Sequence, residues 1–461
     1  MSALWTSLDI AAATGGEAIG HWSVNGLSID TRSIKPGDLF VPLKDVRDGH
    51  DFIPMAYEKG AGGVISEHQI KDAPAVNVTS VQAALEDLAK AARARSKAKR
   101  IGVTGSVGKT SVKEMLAVIC TAQGRTHASQ KSFNNHWGVP LTLASMPKNA
   151  EYGVFEMGMN HAEELRGLTA IVKPDIAVIT TVAAGHLEFF DSVDQIALAK
   201  AEILDGLDAG GIGIVNADNP YTRLIEDYAA QRGVRLLSFG TSEAAETRIL
   251  STAQTAAGST SKIRVLGETI TLNLNMAGAH WVSNAACALL VAAKAGIAPK
   301  AAAKALAGMH GIGGRGLTQN IKINGYAINL IDESYNANPA SMAAAISVLG
   351  LSKGRKIAVL GDMLELGKNA KKIHADLAGP LNDSGIDLVF TCGQYMKALH
   401  AALPEKLRGA HTENSQELAV VLATELQADD VVSVKGSLGS KMSVIIEALK
   451  SLSAQSNGGE E

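Results

Sequence analysis

The sequence predicts an α/β protein of three domains: a small mixed α/β N-terminal domain, a central domain with a doubly wound parallel sheet, and a C-terminal Rossmann-like α/β domain. Its 461 residues exceed what one hydrophobic core usually organises, so more than one domain is expected. In two separate regions, short apolar runs rich in β-branched residues alternate with helical stretches. That alternation is typical of parallel sheets whose two faces are covered by helices.

We place the first domain at residues 1–85, where strand-like runs such as DLFVPL alternate with turns. The central domain takes residues 86–312, and its predicted strands are RIGVTG, YGVFEMG, DIAVITTV and GIGIVNAD. The C-terminal domain takes residues 313–461 and begins with IKINGYAINLID, a predicted hairpin closed by Asn-Gly. Its further predicted strands are KIAVLGDM, DLVFTCG and DDVVSVKG. Ligands of doubly wound sheets bind beyond the carboxyl ends of the strands, so residues at those ends are candidates for the site.

The composition excludes several classes of protein. The chain has 43 basic and 46 acidic residues, a net charge of −3, which argues against nucleic-acid binding because that needs dense positive charge. No run of about 18 apolar residues occurs, so no membrane span is expected. The start, MSALWTSLDIAAATGG, lacks the basic segment and apolar core of a signal peptide. The three cysteines are scattered in apolar surroundings, as expected of reduced thiols in a cytoplasmic protein.

The segment IGVTGSVGKTS at residues 101–111 predicts a phosphate-binding loop between a strand and a helix, which makes the central domain P-loop ATPase-like. Val103 stands where the usual P-loop has its first glycine, so this loop is shorter. Unsatisfied N–H groups at a helix start favour an anion, Lys109 offers a charge to the outer phosphates, and the Thr110 hydroxyl suits Mg²⁺. The alternative is an ordinary glycine turn whose lysine faces solvent. The predicted nucleotide-binding residues are Gly105, Ser106, Val107, Gly108, Lys109, Thr110 and Ser111.

Two polar residues follow other predicted strands of the central sheet. Glu156 comes directly after the run YGVF, and His186 follows DIAVITTV. A carboxylate and a hydroxyl suit the hard ion Mg²⁺, whereas imidazole is a less usual ligand for it. Glu156 is therefore a candidate metal ligand together with Thr110. For His186, the alternative is a histidine that only caps the strand end or forms hydrogen bonds.

Lys200 interrupts the apolar stripe of a predicted helix in DSVDQIALAKAEILDGL. Ser192 and Gln195 predict a capping box at the start of that helix. Lys200 shares the spacing of a buried face with four apolar residues: Val193, Ile196, Ile203 and Leu207. Burial disfavours the charged form of an amine, and the neutral form is nucleophilic. The alternative is a lysine that extends its amine to water.

The loop motif T-G-[ST]-x-G-K-[ST] after a strand resembles that of the Mur ligases and their folylpolyglutamate synthetase relatives, which form amide bonds with ATP. The resemblance implies two Mg²⁺ ions. It implies that CO₂ carbamylates Lys200, which follows His186 by 14 residues, and that this carbamate holds the second ion. The metal-binding residues would be Thr110, Glu156, His186 and Lys200, and the catalytic residues Lys109, His186, Lys200 and Arg315.

Further motifs of that family occur in order along the chain. NLNMAGAHWVSN matches its N-x-x-G-x-H-x-x-x-N segment, which implies that Asn284 contacts the adenine side of ATP. GIGGRG carries Arg315, implied at the ATP phosphates, and LIDESYNANPASM carries Asp332, implied at the ribose. Without the resemblance, Asn284 is a polar helix position and Arg315 a surface residue. The stretches YNANP and GDMLELG are similar to the branch of the family that adds D-alanyl-D-alanine.

The first predicted domain agrees with this resemblance. IDTRSIKPGDLFVPLKDVRDGHDF is similar to the family's domain for a UDP-sugar-peptide, and SFNNHWGVPLTL to the central segment that faces it. The implied substrate-binding residues are Asp30, Arg32, Lys44, Asp48, Gly49, His50, Asn134, Asn135 and Gly138. For Gly49 and Gly138, the alternative is a role in turns alone. Leu438 stands where the family often has arginine, so we assign no dipeptide contact to the C-terminal domain.

The resemblance implies an ATP-dependent ligase that joins D-alanyl-D-alanine to UDP-N-acetylmuramoyl-tripeptide through an acyl phosphate. This is the last cytoplasmic amino-acid addition in peptidoglycan precursor synthesis, and the third peptide residue is left open between diaminopimelate and lysine. We expect a monomer in the cytoplasm. Two alternatives remain: another amide ligase of the same superfamily, and a P-loop NTPase without a ligase step.

Overall fold

The computed structural model describes residues 3–130, 132–185, 187–323 and 325–457 of the chain. Its three larger sheets have five, nine and six strands. They follow one another along the sequence, are largely parallel and pack against helices. The predicted α/β class is therefore confirmed, whereas the domain boundaries at residues 85 and 312 stay predictions.

The N-terminal region carries the five-stranded sheet, in the order β2-β7-β6-β5-β4, with β2 antiparallel and the others parallel. Strands β1 and β3 form a separate antiparallel pair. Phe40, Val64 and Ala75 of this sheet are buried, because the helix of residues Ile53–Glu58 covers it. The elements are β1 Trp5–Thr6, α1 Ser7–Thr14, β2 Glu17–Ile19, β3 Ser23–Val24, β4 Gly26–Ser28, β5 Asp38–Phe40, α2 Ile53–Glu58, β6 Gly63–Ser66 and β7 Ala75–Asn77.

The central region carries the nine-stranded sheet, in the order β16-β15-β14-β13-β12-β11-β8-β10-β9. The four strands predicted from apolar runs are its β8, β10, β11 and β12, and they pair in parallel as expected. The elements are α3 Val81–Arg95, β8 Lys99–Thr104, α4 Lys109–Thr121, β9 Thr126–Ala128, α5 Gly138–Ala144, β10 Tyr152–Glu156, α6 Glu164–Val172, β11 Ile176–Ile179, α7 Val193–Ala201, β12 Ile212–Asn216, α8 Thr222–Ala230, β13 Arg235–Gly240, β14 Thr247–Thr255, β15 Gly258–Val265, β16 Glu268–Leu274, α9 Ala279–Lys294 and α10 Pro299–Leu306.

Three antiparallel strands, β14 to β16, extend this sheet and were not predicted from the sequence. Buried and exposed residues alternate along β16, where Ile270, Leu272 and Leu274 are buried. This alternation of period two is typical of a sheet with one covered face. It differs from the continuous apolar runs on which the prediction of parallel strands was based.

Two hydrophobic clusters cover the faces of the central sheet. One contains α4 and α9, with residues such as Met115 and Leu289. The other continues into the N-terminal region, where Trp5 and Leu39 share a cluster with Leu88 of α3. The Trp5 indole also donates a hydrogen bond of 2.9 Å to the Ala144 carbonyl. The N-terminal and central regions are therefore joined by continuous apolar packing.

The C-terminal region carries the six-stranded sheet, in the order β17-β18-β22-β19-β20-β21. The predicted hairpin is present as the antiparallel pair β17–β18, and the edge strand β21 was not predicted. Asn324 of its Asn-Gly turn lies outside the described residues. The elements are β17 Leu317–Ile323, β18 Tyr326–Glu333, α11 Pro339–Gly350, β19 Lys356–Gly361, α12 Ala370–Ala375, α13 Ala378–Asp383, β20 Leu388–Cys392, α14 Met396–Ala402, β21 Arg408–Thr412, α15 Ser415–Glu425, β22 Val431–Lys435 and α16 Ser443–Asn457.

Among the residues that the structure describes, none of the helices combines the length and the apolar character needed to cross a membrane.

Candidate active site

The predicted phosphate loop connects β8, which ends at Thr104, to α4, which begins at Lys109. Val103 is buried within β8, so the first glycine of the loop is Gly105, two residues later than in the usual P-loop. Gly108 is the residue before the helix, and no side chain among the described residues caps it, which leaves the first N–H groups of α4 available to an anion. The loop forms one wall of a cavity of about 530 Å³. Six of the predicted loop residues line it: Ser106, Val107, Gly108, Lys109, Thr110 and Ser111.

The loop is held against the segment that follows β11. Ser106 donates its backbone N–H to the Thr181 carbonyl at 2.8 Å and its hydroxyl to the Ala183 carbonyl at 3.0 Å. The Thr180 hydroxyl donates to the Val107 carbonyl at 2.5 Å. Gly105 has a φ of +147°, and a Cβ added there would lie 2.0 Å from Thr180 Oγ1. This position therefore requires glycine for both its backbone conformation and its close packing.

Gly105→Ala should lower the free energy of unfolding by about 2–4 kcal/mol and abolish nucleotide binding, because the methyl group displaces either the loop or Thr180. The measurements are urea unfolding and calorimetric titration with Mg-ATP. Gly167→Ala is the matched control, since Gly167 is exposed in α6 with nothing within 4 Å of its added Cβ. It should raise stability by about 0.5–1 kcal/mol and leave binding unchanged. Normal binding by Gly105→Ala would contradict the packing of the loop.

Lys109 extends back over the loop. Its amine donates to the Gly105 carbonyl at 2.7 Å. Burial lowers the pKa of Lys109, the Glu156 carboxylate opposes that decrease, and the Arg315 guanidinium adds to it. Two cations from distant parts of the chain therefore face the same cavity, as required of a site for a polyphosphate.

Glu156 ends β10, next to the loop, because β10 and β8 are parallel neighbours. The Thr110 hydroxyl donates to Glu156 Oε2 at 2.7 Å, and the Asn134 amide donates to Oε1 at 2.8 Å. Glu156 is only 1% exposed, yet it lines the cavity. These are hard oxygen donors at the mouth of a phosphate loop, so they fit Mg²⁺. His186, the other predicted ligand from a strand end, lies outside the described residues.

Lys200 is 1% exposed, so it does not extend its amine to bulk water. Ile196 and Ile203 of the same stripe are also buried, as predicted. Burial lowers the pKa of Lys200 well below its ordinary value, and the like charge of Lys109 lowers it further. Lys200 does not itself line the cavity.

The predicted capping box of this helix is only half present. The Ser192 hydroxyl accepts the Gln195 N–H at 3.3 Å, as expected. Gln195 Oε1, however, accepts from the N–H of Asp191 at 3.1 Å, not from that of Ser192. Helix α7 then ends at Ala201 and continues as a 3₁₀ turn, Glu202–Gly206.

The opposite wall of the cavity comes from α9 and the C-terminal region. Asn284 lies against the phosphate loop, because a Cβ added to Gly108 would be 2.6 Å from Asn284 Oδ1. Arg315 lines the cavity together with Tyr335 and Asn336. The structure therefore brings the predicted residues Asn284 and Arg315 to the phosphate loop.

Asp332, which the resemblance implies at the ATP ribose, forms its hydrogen bonds within the protein. It does not line the cavity, and its two carboxylate oxygens are already engaged. Oδ2 accepts the N–H of Gly314 at 2.8 Å, and Oδ1 accepts the N–H and hydroxyl of Ser334 at 3.1 and 2.6 Å. The next residue, Glu333, lines the cavity instead. Successive residues of a strand point to opposite faces of the sheet, so only one of these two adjacent acids can face the cavity, and that residue is Glu333.

The sequence interpretation assigned no role to Lys435, which lies opposite Glu333 on the neighbouring parallel strand. Its amine is 3.3 Å from Glu333 Oε2 and donates to the Asn336 carbonyl at 3.0 Å. Both side chains line the cavity beside His280. Burial lowers the pKa of His280, Glu333 opposes this, and Lys435 adds to it. The position of Lys435 at the end of DDVVSVKG is the same strand-end signal that identified Glu156.

The residues predicted to bind the sugar-peptide fall into three groups. Asn134 and Asn135 line the main cavity, and Gly138 donates its N–H to Asn135 Oδ1 at 2.9 Å. Lys44 lines a second cavity of about 230 Å³, between the N-terminal and central regions, and pairs with Glu67 at 2.7 Å. The others line neither cavity: Asp30, Arg32, Asp48, Gly49 and His50.

Those five residues form local contacts in the N-terminal region. Arg32 is 88% exposed along its side chain and pairs with Asp30 at 2.6 Å. His50 is buried, with Nδ1 at 2.6 Å from Asp48 and Nε2 accepting the N–H of Glu67 at 3.1 Å. Both imidazole nitrogens are thus used within the protein. A substrate role for His50 would therefore be to support the loop of Asp48 and Gly49, not to contact a ligand.

A phosphate loop at the carboxyl edge of a parallel sheet, with a cation over it and a carboxylate beside it, defines a nucleoside-triphosphate site of the P-loop class. Two family profiles match the chain: the Mur ligase middle domain over residues 103–292, and the Mur ligase, glutamate ligase domain over residues 318–438. A UDP-N-acetylmuramoyl-tripeptide--D-alanyl-D-alanine ligase of Rickettsia prowazekii is 33% identical over 449 residues, which cover 96% of this chain and 99% of that protein. The chain belongs to the Mur ligase family.

Solved structures agree with this assignment. MurF from Acinetobacter baumannii superposes with a TM-score of 0.84 at 29% identity, covering 96% of this chain and 98% of that one. MurF ligase from Thermotoga maritima, in complex with ADP, has a TM-score of 0.78 at 26% identity and covers 94% and 98% of the two chains. The predicted family resemblance is confirmed over nearly the whole chain.

Proposed function

We propose that the chain is an ATP-dependent ligase that joins D-alanyl-D-alanine to UDP-N-acetylmuramoyl-tripeptide, the last cytoplasmic amino-acid addition in peptidoglycan precursor synthesis. The observation that carries this is that Lys109 of the central region and Arg315 of the C-terminal region line the same cavity as the phosphate loop. The D-alanyl-D-alanine ligase of R. prowazekii, similar along its whole length, supports the choice of acceptors.

The reaction brings two anions together. The terminal carboxylate of the tripeptide attacks the γ-phosphorus of ATP, the bond to ADP breaks, and an acyl phosphate forms. The dipeptide amine then attacks the acyl carbon, and the tetrahedral intermediate expels phosphate and loses a proton. Lys109, Arg315 and the N–H groups at the start of α4 would stabilise the negative charge that moves from the γ-phosphate to ADP.

For the nucleotide, we assign the phosphates to Gly105–Ser111 and Arg315, and the adenine to Asn284. We assign the ribose hydroxyls to Glu333 in place of Asp332, since Asp332 has its oxygens engaged by the backbone and is outside the cavity. For the sugar-peptide, Asn134, Asn135 and Lys44 are the assigned residues that line a cavity. Asp30, Arg32, Asp48, Gly49, His50 and Gly138 would shape the loops around them.

Thr110 and Glu156, with His186, would hold Mg²⁺, and Lys200 would hold a second Mg²⁺ as its carbamate. Bound there, the ions would neutralise phosphate charge during transfer. Carbamylation joins the neutral amine of Lys200 to CO₂ with loss of one proton. The burial of Lys200 supports this, because burial lowers the pKa of the amine and so favours the neutral form that reacts with CO₂.

A panel of acceptors tests the function by ADP release. With UDP-N-acetylmuramoyl-tripeptide, D-alanyl-D-alanine should stimulate ADP release at least about tenfold over ATP alone. Single amino acids, and a folate with glutamate, should not stimulate it. Stimulation by a single amino acid would identify another ligase of the superfamily, and equal turnover without acceptors would identify an NTPase.

A further inference from the structure

Arg315 is a charged residue with few partners. It lines the main cavity and is only partly buried. Within the described part of the chain, its guanidinium donates no hydrogen bond and forms no ion pair with a carboxylate. The guanidinium lies over the ring of Tyr335, whose centroid is 4.3 Å from Arg315 Cζ. An arginine side chain without hydrogen bonds can adopt many rotamers, and stacking on the Tyr335 ring restricts the Arg315 side chain to fewer of them.

The backbone around Arg315 forms hydrogen bonds with residues 332–335, the segment that contains Tyr335. Gly314 donates its N–H to Asp332 Oδ2 at 2.8 Å, and Gly316 donates to the Asp332 carbonyl at 2.8 Å. Tyr335 returns its N–H to the Gly314 carbonyl at 3.1 Å. Gly314 has a φ of +75°, and a Cβ added there would lie 2.8 Å from Tyr335 Cβ. The turn that carries Arg315 is thus packed directly against Tyr335.

We propose that Tyr335 is a positioning residue, whose ring holds the Arg315 guanidinium at the cavity so that its N–H edges face the nucleotide phosphates. A guanidinium stacked on an aromatic face keeps its N–H groups in the ring plane free for hydrogen bonds to oxyanions. The proposal rests on the nucleotide site of the proposed function. It differs from a role in which the tyrosine ring contacts the ligand itself.

A double-mutant cycle between Tyr335 and Arg315 tests whether Tyr335 positions Arg315 or contacts the ligand itself. Tyr335→Leu should lower kcat for ADP release about tenfold, weaken the binding of Mg-AMP-PNP about threefold and leave Tm unchanged. Tyr335→Phe keeps the ring and should restore kcat to within about threefold of the wild type. In an Arg315→Ala background, Tyr335→Leu should cost less than about twofold, because the residue it positions is gone. Tyr326→Leu, at an exposed tyrosine of the same region, is the matched control and should have no effect.

Three outcomes would overturn the proposal. A full tenfold loss in the Arg315→Ala background would mean that Tyr335 acts on the ligand directly. Tyr335→Phe as slow as Tyr335→Leu would mean that the hydroxyl, not the ring, is required. A large fall in Tm for Tyr335→Leu would mean a structural role.

The same cycle, measured by calorimetric binding of Mg-AMP-PNP, separates this proposal from the proposed function. If the wild-type protein binds Mg-AMP-PNP but the acceptors do not stimulate ADP release, the ligase assignment fails, and non-additivity in binding still supports the positioning role. Additive binding energies overturn it. No binding of Mg-AMP-PNP would overturn both.

Discussion

Lys109→Met should reduce kcat/KM for ATP at least about a thousandfold and leave the free energy of unfolding unchanged or slightly higher. The amine lies over the phosphate loop, where it donates a hydrogen bond to the Gly105 carbonyl, and Arg315 lines the same cavity. Methionine has a similar length, so the loop keeps its packing while the charge disappears. Removing a cation whose burial is unfavourable relieves a cost of folding, which is why stability should not fall.

The measurements are steady-state ADP release and thermal unfolding of the same preparations. Lys148→Met is the matched control, since Lys148 is exposed in the loop before β10 and should change neither quantity. Near-normal turnover by Lys109→Met would remove this residue from the phosphate site. Loss of folding in Lys109→Met would show instead that the amine is a structural part of the loop.

Lys200→Ala should lose at least about a thousandfold in kcat. Bicarbonate should not restore it, because the carbamate cannot form without the amine. Short carboxylates such as formate and acetate should restore part of the activity, since truncation leaves space in a buried site where a carboxylate stands in for the carbamate. The measurement is ADP release with D-alanyl-D-alanine and the UDP-sugar-tripeptide across a series of added acids.

Lys200→Met is the control for the space that truncation creates. Methionine fills the volume of the lysine stem, so this variant should be inactive and should not respond to acetate. The wild-type protein should lose turnover when CO₂ is removed and regain it with bicarbonate, and ¹³C-labelled bicarbonate should give a carbamate signal. Turnover by Lys200→Met close to that of the wild type would show that the carbamate is not required.

Much of the central fold follows from local patterns in the sequence. The run RIGVTG, the glycines after it and the helical KTSVKEMLAVIC are contiguous, so strand, loop and helix could be predicted together, and the structure has them as β8, the phosphate loop and α4. For Lys200 the sequence left two interpretations open, a buried amine and an amine that extends to water. Its apolar neighbours on one helix face favoured burial, but only the packing of α7 against the rest of the chain decided it.

Contacts between segments that are distant in the sequence were harder to predict. The strands β14 to β16 were missed because their pattern alternates and they pair antiparallel with one another, with only β14 joined to the parallel strand β13. The ion pair of Glu333 and Lys435 joins residues 102 positions apart, and it depends on the register of β18 with β22. The positions of the predicted sugar-peptide residues in the N-terminal region likewise depend on loops, whose conformation cannot be predicted from the periodicity of apolar residues.

By itself the amino-acid order determined what neighbours along the chain can decide: the class of fold, the phosphate loop, and acidic and basic side chains at strand ends. The tertiary structure decided which side chains share a cavity, as with Lys109 and Arg315, and it placed the Arg315 guanidinium over the Tyr335 ring. It also decided that Glu333, and not Asp332, faces that cavity. The physical reason is that successive side chains of a strand point to opposite faces of the sheet. A shift of one residue in the strand register would therefore move a side chain from the cavity into contacts within the protein.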